Sequence, residues 1–200
     1  MVVGGAVLGA LSYQSLGHPS LSSPSWGASP IVGAPPGLAA PLGGQGDPSG
    51  VLGLADGAVP DGVTVFDEVP AVANLDPALL GALRRAASDA GGDGVQLHVN
   101  SGWRSRAYQA QLLREAISEY GYEEEAARWV STPDTSLHVS GDAIDIGGAG
   151  ATWLSDRGAG YGLCQIYDNE PWHFELRLDA VDHGCPDRYA DPIQDPRMQP

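Results

Sequence analysis

From residue 76 onward, the hydrophobic positions fall into periods that mark out elements. In DPALLGALRRAASDAGG, Leu79, Leu80, Leu83, Ala86, Ala87 and Ala90 recur at helical spacing. Asp76 is expected as the N-cap, Pro77 at the first helical position, and Gly91 and Gly92 as the stop. VQLHVN then alternates Val95, Leu97 and Val99 against Gln96, His98 and Asn100, the pattern of a half-buried strand. SRAYQAQLLREAISEYG predicts a second helix capped by Ser105 and stopped by Gly121, with an apolar stripe of Tyr108, Leu112, Leu113, Ala116 and Tyr120. YEEEAARWV predicts a short third helix with its acids in the first turn. Beyond Pro133 the pattern changes to short strands (DAIDIG, GLCQIY, WHFEL) between Gly-rich loops. Helices first and strands later predict an α+β domain, with N-terminal helices packed on a small antiparallel sheet. No internal repeat is visible.

Composition sets the boundaries of that domain. Residues 1–60 carry 13 Gly, 8 Pro and 8 Ser but only two acidic residues and no basic one. Such a stretch buries too little apolar surface to offset its ordering entropy, so 1–60 reads as a disordered leader and linker. The folded domain is expected over 61–190, with 191–200 as a flexible tail. The opening run MVVGGAVLGALSY is too short for a transmembrane helix. As a signal segment it is degenerate, because the positive n-region is missing. A long Pro/Gly/Ser spacer after such a run is consistent with an exported, extracytoplasmic enzyme.

A net charge of −15 argues against nucleic acid as a partner, because phosphate binding needs a clustered cationic face. All ten basic residues are Arg. If the chain is exported, Cys164 and Cys185 can form a disulfide closing a loop of about 20 residues; in a cytosolic protein they would remain thiols.

The candidate chemistry lies in SLHVSGDAID and NEPWHFEL. In AIDI, Ile144 and Ile146 take one strand face and Ala143 and Asp145 the other. His138 is expected in a loop before that strand, with Gly141 turning the chain back towards the Asp145 face. In EPWHFEL, His173 shares a strand face with Pro171 and Glu175, while Trp172 and Phe174 take the opposite one. Two histidines and an aspartate make a zinc set of the catalytic kind, with a fourth position left for water. Glu170, three residues before His173, sits where a base could reach that water. Arg104, in SGWRS at a strand-to-helix junction, could clamp a carboxylate or stabilise an oxyanion.

Together these segments resemble the VanY-type D-alanyl-D-alanine carboxypeptidase family. SLHVSGDAID fits S-x-H-x-x-G-x-A-x-D, EPWH fits E-x-W-H, and SGWRS fits S-G-[YW]-R-S, in the family's order over roughly residues 95–176. The resemblance implies one zinc ion per chain held by His138, Asp145 and His173, with Glu170 as general base and Arg104 at the oxyanion or scissile carbonyl. Ser136 and Gln109 look similar to substrate-contacting positions. The implied fold is a small α+β domain with the zinc on an antiparallel sheet, and the implied partner is a peptidoglycan stem peptide.

The leading expectation is a D,D-carboxypeptidase releasing the C-terminal D-Ala, with an L,D-carboxypeptidase or a peptidoglycan endopeptidase as nearest rivals. The reading from a different class is a non-catalytic zinc-stabilised wall-binding module, against which Glu170 argues. His98 is assigned to the polar side of its strand and His183 to a loop. Glu123, Glu124 and Glu125 are assigned to a charged helix start, and Trp129 and Trp153 to packing. Oligomeric state is not legible in the sequence.

Overall fold

The computed structural model describes residues 52–199. The leader expected over 1–60 therefore lies outside the described residues, except for its last part. Elements run α1 (Pro70–Ala73), α2 (Pro77–Gly92), β1 (Val99–Ser101), α3 (Arg106–Tyr120), α4 (Glu123–Ala126) and α5 (Leu137–Ser140). There follow β2 (Ala143–Ile146), α6 (Gly148–Arg157), β3 (Leu163–Gln165), β4 (His173–Leu176) and α7 (Ala180–His183). The strands form one antiparallel sheet in the order β1-β2-β4-β3, so the predicted α+β class holds.

The two long helices begin and end where local chemistry dictates. Asp76 accepts from the backbone N–H groups of Ala78 and Leu79 with Pro77 next to it, and Ser105 accepts from Tyr108 N–H. Gly121 ends α3 in the left-handed region. One face of α2 (Leu79, Ala82, Leu83, Ala86, Ala90) packs on the sheet's apolar side, which is built from Ile144, Ile146, Leu163 and Phe174. Burial of each large side chain there stabilises the fold by roughly 2–3 kcal/mol. The α3 stripe packs separately, with Tyr108, Leu112 and Ala116 against Ala126 and Val130. Register fixes the polar face: Asp145 pairs with His173 and Ala143 with Glu175 across β2 and β4. With the Ile144 and Phe174 face committed to the core, Asp145, His173 and Glu175 share the other.

Several expectations are corrected. The fold begins before residue 60: Leu54–Asp56 forms a 3-10 turn, Ala58 and Val59 are buried, and Ser105 N–H donates to Asp56 O at 2.8 Å. The strand read over VQLHVN is confined to Val99–Ser101, because His98 makes only an isolated bridge to Thr64 and the register shifts within β1. A ten-residue helix, α6, stands where Gly-rich loops were expected. Its Gly150 lies so close to Gln96 O and Ile146 that a Cβ would approach them to 3.0 Å, so the glycine serves helix–strand contact. His183 ends α7 instead of lying in a loop.

The 191–200 segment is packed over its described residues. Asp191 and Asp195 cap two consecutive 3-10 turns, Pro192–Gln194 and Pro196–Met198, and Asp195 is fully buried. Trp153 is buried in the main core, and Trp129 stacks on Tyr120 at the edge of the second cluster. Among the described residues, no helix is long and apolar enough to cross a membrane.

Candidate metal centre

His138 reaches the site through a single helical turn. Contrary to the expected loop, it lies within α5, which Gly141 stops at φ +84°. A Cβ at Gly141 would also stand 2.6 Å from Asn74 O, so both torsion and space call for glycine there. The SGWRS segment holds the other side of that turn. Arg104 N–H donates to His138 O at 3.0 Å, and His138 Nδ1 lies 2.8 Å from Gly102 O. Gly102 can come this close because it packs against Ala71, where a Cβ would meet the Ala71 carbonyl oxygen at 2.1 Å. The Nδ1–H donated to Gly102 O leaves His138 Nε2 with its lone pair free.

That lone pair faces Asp145. Asp145 Oδ1 lies 3.4 Å from His138 Nε2 and 3.2 Å from His173 Nδ1, and the two imidazoles meet edge-on with centroids 5.1 Å apart. One donor atom from each of His138, Asp145 and His173 falls within 4.8 Å of the other two, and all three residues are buried. One carboxylate oxygen and two imidazole nitrogens converging from three elements fit a zinc ion with an open position. Glu170, also buried, adds Oε2 at 3.6 Å from His173 Nδ1. It is placed by the turn into β4, where His173 N–H donates to Glu170 O at 3.0 Å.

The electrostatics follow from this crowding. Burial works against charge on Asp145, but the two imidazoles and the Arg104 guanidinium hold its carboxyl well below the ordinary range. Burial, helped by Arg104, lowers His138 and so favours the neutral ring that a metal requires. Burial pushes Glu170 up to about 8, against the pull of His173. For His173, burial works to lower the value, but Asp145 and Glu175 outweigh it and push it up to about 10.

Arg104 enters the site by way of Asp145. Its Nη2 donates to Asp145 Oδ2 at 3.0 Å, Nε to Ser101 Oγ at 2.8 Å, and Nη1 to Gln109 Oε1 at 3.1 Å. Gln109 is buried and uses its other end on Ser131 O at 2.8 Å, so both halves of its amide are engaged within the protein. Ser136 is buried at the start of α5 and makes no cap hydrogen bond with its hydroxyl. Cys164 and Cys185 are joined in a disulfide that ties β3 to the segment after α7, and neither belongs to the donor cluster. His98 and His183 are exposed and outside the cluster.

The residues that sequence reasoning missed are those holding the donors: the Gly102 carbonyl, Ser101, Glu175 and Arg197. Glu175 left a signal in its two-residue spacing from His173 on one strand face, and Ser101 and Gly102 stand in the SGWRS motif, whereas Arg197 left none.

The fold and the site are similar to those of the VanY-type family. Residues 73–162 match the family model described as VanY, D-alanyl-D-alanine carboxypeptidase, which bears out the resemblance over that segment. A D-alanyl-D-alanine carboxypeptidase of Enterococcus faecalis is 32% identical over 108 residues. That match takes in 41% of this chain and 40% of the relative, so the chain spans less than half of that curated protein's length. Among solved structures, VanYB in complex with D-alanine-D-alanine is similar at a TM-score of 0.50 and 28% identity, over 55% of this chain and 74% of that one. The LdcB LD-carboxypeptidase is similar at a TM-score of 0.50 and 25% identity, over 63% and 71%.

Proposed function

We propose that this protein is a zinc-dependent peptidase of peptidoglycan stem peptides that removes the C-terminal D-Ala as a D,D-carboxypeptidase. The observation that carries this reading is the convergence of His138, Asp145 and His173 with a buried Glu170 beside them. When bound, zinc supplies Lewis acidity, polarising the scissile carbonyl and making water acidic enough to be deprotonated near neutral pH. Glu170 takes the proton of the attacking water and later hands it to the leaving amine. Arg104 keeps Asp145 ionised and oriented, and we assign to the same guanidinium the stabilisation of negative charge at the carbonyl oxygen. Ser136 and Gln109 are proposed to border the substrate, Ser136 through a hydroxyl that does not cap α5 and Gln109 through its hold on Arg104.

A catalytic carboxylate beside the donors supports an enzyme over a wall-binding module, because a module has no use for a buried base there. Action on stem peptides and an extracytoplasmic location are supported by the relatives that bind D-alanine-D-alanine or carry the carboxypeptidase name, and the disulfide fits an oxidising compartment. The likeness to LdcB keeps L,D-carboxypeptidase as the second reading. The test is amino-acid release from a muramyl pentapeptide, a tetrapeptide and a cross-linked dimer. D-Ala released from the pentapeptide alone is the expected result. Release from the tetrapeptide alone would move the assignment to L,D-carboxypeptidase, cleavage of the dimer alone would move it to endopeptidase, and no cleavage of any would overturn the peptidase.

A further inference from the structure

Glu175 has no part in the chemistry above, yet it is only 1% exposed and sits two residues beyond His173 on the same strand face. Its Oε1 faces His173 Nε2 at 3.4 Å. That nitrogen, on the opposite side of the ring from Asp145, is buried and has no hydrogen-bond partner among the described residues. A buried carboxylate is costly unless its charge is matched. Arg197 supplies the match, with Nη1 at 2.6 Å and Nη2 at 3.2 Å, and Arg177 adds a second guanidinium contact. Arg197 comes from the last turn, Pro196–Met198, and is itself held by the fully buried Asp195, whose Oδ1 accepts from Arg197 Nε at 3.0 Å. Tyr167 O–H closes the chain by donating to Asp195 Oδ2 at 2.9 Å, with its ring centroid 5.2 Å from that of His173.

We propose that Glu175 is a positioning residue of the metal centre and that the C-terminal turn at 195–198 is the clamp that holds it. By holding a carboxylate oxygen 3.4 Å from His173 Nε2, Glu175 favours the tautomer protonated there, in which Nδ1 offers its lone pair towards Asp145 and His138. A ligating imidazole that donates its second nitrogen to a carboxylate is more basic and better oriented than a free one. An ion-pair role alone does not account for the arrangement. The Arg177 and Arg197 side chains are 32% and 36% exposed and can be satisfied by water, whereas Glu175 is placed where only the imidazole gains from its burial. The inference rests on the metal-centre reading under Proposed function.

The test uses the full chain with Glu175→Gln and Arg197→Gln. Zinc affinity is measured by competition with a chelating dye, and the His173 Nε2–H resonance of zinc-loaded protein is followed by nitrogen-edited NMR. Glu175→Gln is expected to weaken zinc binding by about 10–100-fold and to shift that resonance. Arg197→Gln is expected to weaken it in the same direction, roughly threefold or more. Because Arg197 is part-exposed, this second variant carries the test if Glu175→Gln fails to fold. Zinc affinity within about twofold of wild type, with the resonance unmoved, would overturn the proposal even if thermal stability fell. Failure of the wild-type protein to bind zinc would overturn the metal-centre reading as well, which distinguishes the two failures.

Discussion

Arg104 and Asp145 meet with Nη2 at 3.0 Å from Oδ2, while the other oxygen of the same carboxylate faces both imidazoles. The two oxygens of Asp145 are thus divided between a fixed cation and the donor cluster. Losing Arg104 frees the first oxygen and lets the carboxylate rotate away from the second's position.

Arg104→Ala is therefore expected to weaken zinc binding by about tenfold or more, measured by chelator competition. If Arg104 also stabilises charge at the carbonyl oxygen, kcat at saturating zinc should fall by roughly a further 100-fold. Full recovery of kcat on zinc saturation would confine Arg104 to holding Asp145.

Glu170→Gln should retain zinc and structure while losing most turnover, read as kcat with unchanged metal content. The same variant has a second signature in the metal-free protein. Glu170's carboxyl is raised from its ordinary 4.5 to about 8 in the fold, so the folded state favours the protonated form. That contribution to stability is fully present below about 4.5 and is lost as pH rises through about 8. His173, raised to about 10, adds a loss of the same sign at higher pH. Across pH 4.5–8, the unfolding midpoint of metal-free wild type should fall relative to that of Glu170→Gln, and parallel curves would contradict the buried carboxyl.

The disulfide spans 21 positions and anchors the segment leading to the C-terminal turn. Replacing both cysteines with Ala is expected to cost about 3 kcal/mol, measured by urea unfolding. Cys164 stands opposite Glu175 across β3 and β4, so zinc affinity of the folded variant should fall in the same direction as in Arg197→Gln.

Gly141→Ala places a side chain at φ +84° and 2.6 Å from Asn74 O. The α5 turn must shift, and with it His138. Loss of zinc affinity together with a lower unfolding midpoint is the expected outcome, and neither should occur if α5 tolerates the change.

Legibility in the sequence tracked how local the cause of each feature is. The α2 and α3 helices carry their caps, their stops and a periodic face within their own residues, and both appear where the pattern places them. That His138, Asp145, His173 and Glu170 come together was legible from their residue types and motifs, and the alternation of β2 and β4 sets the faces of Asp145 and His173. The α6 helix was not, since its glycines argue against a helix until Gly150 is seen packed on Ile146. The ends of the domain were hidden for another reason. Asp56 is held by Ser105, 49 positions away, and Asp195 by Tyr167, 28 away, through polar contacts that leave no periodicity. Glu175's setting was half-visible: its strand face was readable, but Arg197 lies in a Pro-rich stretch whose composition reads as a tail.

The most direct test of the central claim is zinc stoichiometry of the purified protein, compared with His173→Ala. One zinc per wild-type chain, lost in the variant, is the expected result. Wild-type protein that takes up no zinc, or a His173→Ala variant that binds it as tightly, would contradict a metal centre built from His138, Asp145 and His173.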